Sequence, residues 1–325
     1  MTNVNWKDEL SQAITEVPEL YRILELPTTD WNNLSVLREY PLFVPRSFVG
    51  KMVKGHSTDP LLLQVLPREE EQIIVSGFSC DPLHELSDHS SCCVLKKYAG
   101  RVLLLVSNSC GIHCRFCFRR FFRKSDYFNK NCSNNFETLL KPIHSDNTIE
   151  EVILSGGDPL LLDDSELEQL FYYIVKISHV KRIRIHSRLP VVLPNRLTPE
   201  LIKILSFPFP VYLVLHINHP NELSHDFWER REMLRVPVVL SQTVLLRGVN
   251  DHFDVLYELF DRLVNHRIIP YYLHQLDRVH GAAHFEVPQD NGSCLVEQLR
   301  NRLPGYAVPR YVREIPGMLS KQEIK

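Results

Sequence analysis

Beyond Tyr98, short apolar runs rich in β-branched residues alternate with segments that repeat apolar positions at helical spacing. The apolar runs predict six strands, at residues 102–106, 151–154, 183–185, 211–217, 238–246 and 270–276. Strands separated by amphipathic helices are typical of βα units that share a parallel sheet. The pattern therefore predicts an α/β fold. By itself it does not distinguish an open sheet from a partial barrel.

The predicted helices have recognisable starts. Ser165 and Glu168 have the spacing of a capping box, at the beginning of an apolar stripe that includes Leu167. Thr198 precedes a proline and an acidic residue, which is a common order at a helix N-terminus.

The same pattern divides the chain into three parts. Residues 1–95 carry helical patches interrupted by prolines, and they predict a helical, irregular N-terminal region. Residues 96–290 hold the alternating strands and helices, and residues 291–325 form a short C-terminal segment.

Composition excludes some classes of function. The 325 residues are 44% hydrophobic and 23% charged, which suits one large globular domain. With 37 basic against 39 acidic residues the formal net charge is −2, so no overall positive field favours nucleic acid or an anionic membrane. No apolar stretch is long enough to span a bilayer, and the polar start is unlike a secretory signal. We therefore expect a cytoplasmic protein with a small-molecule substrate.

Three of the eight cysteines, Cys110, Cys114 and Cys117, form a C-x3-C-x2-C cluster just after the first predicted strand. Three thiolates can hold a four-iron cluster and leave its fourth iron without a protein ligand. Zinc is the alternative, but a structural zinc site takes four ligands, and His113 is the local candidate for the fourth. The spacing favours iron.

The other five cysteines are Cys80, Cys92, Cys93, Cys132 and Cys294. A chain of this size does not need disulfides, and their distribution predicts a reducing compartment. We interpret these cysteines as small residues in or near the core.

The cysteine cluster resembles the signature of radical S-adenosylmethionine enzymes, and Phe118-Arg119-Arg120 narrows the resemblance to the lysine 2,3-aminomutase family. Residues 185–198, 216–220 and 241–251 resemble further segments of that family, so the resemblance covers most of the chain. It implies a six-stranded (βα)6 partial barrel, in which the chemistry lies at the C-terminal ends of the strands.

The resemblance also implies cofactor-binding residues. Ser155, Gly156, Gly157 and Asp158 follow the second predicted strand and resemble the motif that binds the amino group of S-adenosylmethionine. The two glycines would let the backbone approach a ligand, and the carboxylate would accept from the ammonium group. The further cofactor-binding residues implied in this way are Tyr98, Arg101, His216, Asn218 and Gln242.

Members of this family use pyridoxal 5'-phosphate as well, held covalently by a lysine. The candidate here is Lys321, although a lysine this near a C-terminus is more often a solvated tail residue. Arg119 corresponds to the arginine that pairs with the substrate's α-carboxylate through its planar fork. Asp277 and Glu314 correspond to two acids that face the side-chain ammonium of lysine.

The basic residues around Arg119 are interpreted differently. Arg120, Arg123 and Lys124 are predicted to form a solvated basic face.

The activity implied by the resemblance is conversion of L-lysine to (R)-β-lysine by amino-group migration, with a flavodoxin-like external electron donor. A homo-oligomer is left open. The end of the chain at Lys325 and the Arg313-Glu314-Ile315 sequence resemble the bacterial subgroup whose β-lysine modifies elongation factor P. Two alternatives remain: an aminomutase acting on another amino acid, such as glutamate or arginine, and a zinc-binding interaction module.

Overall fold

The computed structural model describes residues 5–27, 39–85, 93–122, 135–234 and 238–325. These residues contain a nine-stranded sheet with helices between its strands. The strands are β1 (Val94–Tyr98), β2 (Arg101–Ser107), β3 (Glu151–Gly156), β4 (Arg182–Ser187), β5 (Val211–His216), β6 (Val238–Val244), β7 (Ile269–His274), β8 (Arg310–Arg313) and β9 (Gln322–Glu323). The six strands expected from the apolar runs are confirmed as β2 to β7.

Neighbouring strands in the sheet are also neighbours along the chain, in the order β1 to β9. Strands β2 to β8 run parallel, whereas β1 pairs antiparallel with β2 and β9 pairs antiparallel with β8. A doubly wound sheet reverses its strand order, and this sheet does not. Because βα crossovers are right-handed, an unreversed order places the helices on one face, as in a barrel. The fold is the expected partial (βα)6 barrel, and residues of the C-terminal segment extend its sheet.

The helices are α1 (Trp6–Ser11), α2 (Val17–Ile23), α3 (Arg46–Val49), α4 (Pro60–Leu63), α5 (Phe136–His144), α6 (Asp164–Val175), α7 (Leu189–Val192), α8 (Pro199–Leu205), α9 (His225–Met233), α10 (Phe253–Asn265) and α11 (Gln289–Arg300). Within the described ranges, none of the helices combines the length and the apolar character needed to cross a bilayer.

Two helix starts test the capping predictions. Thr198 caps α8 as expected, because its side chain accepts from the Leu201 N–H. The capping box of α6 is formed by Asp163 and Glu166, not by Ser165 and Glu168. Asp163 is itself a good N-cap and stands where the backbone is still extended, so the helix begins earlier than predicted.

The N-terminal region shares the core of the barrel. Leu20, Phe48 and Leu61 are fully buried and belong to the same hydrophobic cluster as Leu154 of β3 and Ile185 of β4. Burying apolar surface in one shared core stabilises both parts together.

The cysteines outside the cluster differ from the prediction. Cys80 and Cys294 are exposed, and Cys294 lies on the face of α11 opposite its buried residues. Cys93 is buried and disulfide-bonded. The core interpretation is therefore wrong for Cys80 and Cys294, and the expectation of no disulfide is wrong for Cys93. Cys92 and Cys132 lie outside the described residues.

A buried charge cluster ties the cysteine loop to the N-terminal region. Glu71 accepts from Arg115 Nε and Nη2 at 2.7 and 2.6 Å and from Arg120 Nη2 at 2.6 Å. All three side chains are at most 3% exposed. The prediction that Arg120 is solvated is therefore wrong, because a distant acid pairs with it. Arg123 and Lys124 lie outside the described residues.

We expect Glu71→Gln to lower the free energy of unfolding by about 3 to 5 kcal/mol, because it leaves two buried guanidinium groups without their carboxylate. The measurement is denaturant unfolding of the purified protein. Glu25→Gln, which breaks the exposed ion pair with Lys54, is the matched control and should change stability little. Equal effects of the two substitutions would contradict the assignment of Glu71 as a structural anchor.

Candidate active site

A cavity of about 510 Å³ opens at the C-terminal ends of the parallel strands. Its walls also include parts of the N-terminal region, the β1–β2 hairpin and the C-terminal segment. The predicted site residues that line it are Tyr98, Arg101, Cys110, Cys114, Cys117, Arg119, Ser155, Gly156, Gly157, Asp158, His216, Gln242, Asp277, Glu314 and Lys321. Asn218 is the predicted site residue that does not line the cavity.

The cluster cysteines lie along one part of the cavity wall, and none of the three is disulfide-bonded. Among the described residues, no group of three or more His, Cys, Asp or Glu side chains is placed to hold one metal ion. Three thiolates on one loop are enough for a four-iron cluster, whereas a structural zinc site needs a fourth ligand. His113 does not line the cavity; its Nδ1 lies 2.7 Å from the Pro41 carbonyl oxygen, and its ring stacks on Tyr40.

The two glycines after β3 allow two loops to approach each other. A Cβ at Gly156 would lie 2.3 Å from the Ser107 carbonyl oxygen, and one at Gly157 would lie 2.0 Å from that of Ser109. Gly156 also has φ +118°, which other residues rarely adopt. Both positions therefore require glycine because the loop that carries the cysteines packs against them. The sequence prediction did not include this contact.

Asp158 is buried with a fully occupied carboxylate. Its oxygens accept from the Ser187 hydroxyl and from the backbone N–H groups of Leu160, Arg188 and Leu189. A carboxylate has about four acceptor positions, so no capacity remains for a ligand's ammonium group. The expectation that its carboxylate binds a cofactor is corrected: Asp158 holds the C-terminal end of β4 in place.

Of three other residues predicted to bind a cofactor, two line the cavity and the third lies behind its wall. His216 and Gln242 line the cavity from β5 and β6, and the His216 ring stacks on Phe116 at 5.6 Å between centroids. Burial lowers the pKa of His216 well below its ordinary value, so the ring is neutral. Asn218 is fully buried behind the wall and accepts from the Val244 N–H. A direct cofactor contact by Asn218 is not supported.

A chain of ion pairs with alternating sign crosses the cavity. Glu85 accepts from Arg119 Nε and Nη2 at 2.8 and 3.0 Å and pairs with Lys97 at 2.6 Å. Lys97 also pairs with Glu314 at 2.7 Å, and Glu314 in turn pairs with Lys321. Burial alone would raise the pKa of Glu314, but the two lysines outweigh it and hold that pKa well below its usual range. Lys321 is therefore a cavity residue and not a solvated tail residue.

Arg119 keeps part of its guanidinium available. The carboxylate of Glu85 takes the Nε and Nη2 side, and Nη1 donates to the Ser155 hydroxyl at 3.1 Å. A guanidinium has five N–H donors, so one donor on each terminal nitrogen is left. These two donors form a fork that suits a carboxylate.

Asp277 differs from the other carboxylates of the cavity. It follows β7, and no side-chain hydrogen bond or ion pair to it is found within the described part of the chain. Burial raises its pKa to about 7, with the positive charge of Lys321 opposing and the negative charge of Glu314 adding to the shift. Asp277 thus has no cationic partner in contact among the described residues. It is positioned to pair with a cationic group of a ligand.

A basic and aromatic part of the cavity wall lies near Glu314. The Arg101 guanidinium lies 4.9 Å from the Tyr98 ring centroid, and its Nε is buried without a hydrogen-bond partner among the described residues. Arg310 of β8 lies over the Tyr272 ring at 5.1 Å. Unused guanidinium donors beside Tyr98 and Tyr272 suit a phosphate group.

Several cavity residues were missed by sequence reasoning. They are Glu85, Lys97, Arg184, Arg188, Tyr272, His274 and Arg310. Arg188 stood inside a segment that resembles the family but was given no role. Glu85 lies in the region interpreted as irregular, where no periodic pattern marks a buried acid.

A family described as a 4Fe-4S single cluster domain matches residues 99–187. The match, the cysteine loop after β2 and the partial barrel define a radical S-adenosylmethionine enzyme.

The chain is 41% identical to the L-lysine 2,3-aminomutase of Escherichia coli (strain K12), over 98% of this chain and 93% of that protein. It is 39% identical to the L-lysine 2,3-aminomutase of Haemophilus influenzae, over 98% and 94%, and 34% identical to that of Clostridium subterminale, over 96% and 76%. The chain belongs to the lysine 2,3-aminomutase family.

Proposed function

We propose that this protein moves the amino group of L-lysine from C2 to C3 and forms (R)-β-lysine. The observation that carries the proposal is the convergence, in one cavity, of the three cluster cysteines, an available arginine fork, an acid with no cationic partner among the described residues, and Lys321. Each of these groups suits one part of the reaction. Their shared cavity brings the parts within reach of one substrate.

The cofactor sites fit the residues that line them. Cys110, Cys114 and Cys117 would hold a four-iron cluster, the loops after β3 to β6 would hold S-adenosylmethionine, and Lys321 and Arg101 would hold pyridoxal phosphate. When bound, these groups supply a carbon radical that takes a hydrogen from the substrate and a conjugated system that stabilises the product radical. The chain's own residues orient the reactants and exclude water.

The substrate's two ends meet oppositely charged residues. The free fork of Arg119 would bind the α-carboxylate, and Glu85 holds that fork in one orientation. Asp277 and Glu314 would face the side-chain ammonium. Two acids at that end select a cationic side chain and disfavour glutamate as the substrate.

The cellular setting is also part of the proposal. A flavodoxin-like protein would donate the electron, and the cluster cysteines, none of which is disulfide-bonded, suit a reducing compartment such as the cytoplasm. The β-lysine would serve to modify elongation factor P, a role supported by the resemblance at Arg313-Glu314-Ile315. The intact mass of elongation factor P, from cells with and without the active enzyme, tests that role separately.

The reaction itself is tested by anaerobic incubation of the reconstituted protein with L-lysine, S-adenosylmethionine and dithionite. Chiral chromatography with mass detection should find (R)-β-lysine in the complete mixture and none without reductant. L-Glutamate and L-arginine serve as comparison substrates. Turnover of either one without turnover of lysine would replace the proposal by the alternative aminomutase.

Lys321→Ala should abolish the covalent pyridoxal adduct that borohydride traps, because it removes the amine that we assign to that adduct. Peptide mass mapping of the reduced protein locates the label, and iron analysis should show an unchanged cluster content. Lys97→Met is the control, since Lys97 is another lysine that contacts Glu314. Labelling that persists in Lys321→Ala and disappears in Lys97→Met would move the assignment to Lys97.

The pH dependence of kcat/KM for lysine should follow the ionisation of Asp277. Its pKa is raised to about 7, so the neutral acid predominates below that pH and cannot pair with an ammonium group. We expect kcat/KM for lysine to rise about tenfold per pH unit below pH 7 and to level off above it. Asp277→Asn should lower the plateau by about 100-fold and remove this limb. A level wild-type profile through neutral pH would contradict the role of Asp277.

A further inference from the structure

Arg188, which follows β4, reaches a ligand of the predicted cluster. Its Nη1 donates to Cys114 Sγ at 2.8 Å. The side chain is 7% exposed and lies between the rings of Phe48 and Phe116, at 5.5 and 5.7 Å from their centroids. Arg188 stays charged when buried, so this is a charge-assisted hydrogen bond in surroundings that screen it weakly.

The rest of the guanidinium is anchored by two buried side chains. Nη2 donates to Gln64 Oε1 at 2.6 Å and to Glu222 Oε2 at 3.1 Å. The backbone N–H of Arg188 donates to Asp158. These contacts fix the side chain at both of its ends, and Nη1 is left directed at the sulfur.

Asn218 belongs to the same network. Its Nδ2 donates to Gln64 Oε1 at 2.9 Å, and its backbone N–H donates to Glu222 Oε1 at 3.0 Å. Gln64 Nε2 also donates to Glu222 Oε1, at 3.2 Å. The loop after β5 is therefore connected to the cysteine loop through Arg188. This connection gives Asn218 a structural role although it does not reach the cavity.

We propose that Arg188 is a positioning residue that raises the reduction potential of the iron-sulfur cluster through its hydrogen bond to the Cys114 sulfur. One-electron reduction adds one negative charge to the cluster, and a fixed cation on a ligand sulfur stabilises that charge more than it stabilises the oxidised form. Hydrogen bonds to cluster sulfurs and local charge are recognised determinants of such potentials. The inference rests on the cluster of the proposed function.

The test is a redox titration of anaerobically reconstituted Arg188→Gln, with dithionite and mediators, followed by electron paramagnetic resonance of the reduced cluster. Each cluster takes one electron from dithionite. At the solution potential that half-reduces the wild-type cluster, we expect the ratio of reduced to oxidised cluster to fall about tenfold in the variant, equivalent to about 59 mV for one electron. An unchanged ratio would overturn the inference.

Two further variants separate this role from a structural one. Arg188→Lys keeps the charge but not the planar fork, so we expect the ratio of reduced to oxidised cluster to fall about threefold. This variant also provides the test if Arg188→Gln does not fold. An unchanged ratio in Arg188→Lys would then count against the inference. Arg196→Lys is the control, because Arg196 is another buried arginine, which donates to the carbonyls of Leu160 and Leu162 and pairs with Asp164. An equal fall in Arg196→Lys would overturn the inference.

Failure of the inference and failure of the proposed function give different results. A wild-type protein that assembles no four-iron cluster would refute the proposed function. A wild-type cluster whose potential does not depend on Arg188 would refute only this inference.

Discussion

One chain of ion pairs, with charges of alternating sign, determines how the cavity is built. Arg119, Glu85, Lys97, Glu314 and Lys321 come from the cysteine loop, the N-terminal region, β1 and the C-terminal segment. Removing one member leaves its neighbours as buried unpaired charges, which costs more than the pair itself contributes. The chain of pairs therefore holds four parts of the molecule in one arrangement around the cavity.

The N-terminal region supports the iron site from outside the barrel. Glu71 binds both Arg115 and Arg120 of the cysteine loop, and Gln64 binds the Arg188 that contacts Cys114. A cluster site on an unsupported loop would be free to rearrange. Here the loop is held by charged hydrogen bonds in the core, so the positions of its thiolates are set before any ligand binds.

The cavity also contains groups that a purely structural protein would avoid. In the part of the chain that the structure describes, Asp277 is buried without a cationic partner in contact, and Arg101 Nε is buried without a hydrogen-bond partner. Both arrangements oppose folding, since a buried polar group without a partner loses its hydration. Such costs are concentrated where a ligand supplies the missing partner. An ammonium group beside Asp277 and an anion beside Arg101 would supply them here.

The sequence alone predicted the strands β2 to β7, the C-x3-C-x2-C cluster and fifteen of the residues that line the cavity. These features are local: a strand follows from its own apolar run, and the three cysteines lie on one loop. Only the tertiary structure showed the ion pair between Glu85 and Arg119, the hydrogen bond from Arg188 to Cys114 and the burial of Arg120. Glu85 and Arg119 are 34 residues apart, and Arg188 and Cys114 are 74 apart. Ion pairs over such separations depend on how the whole chain packs, because no short-range periodicity records which charge will meet which.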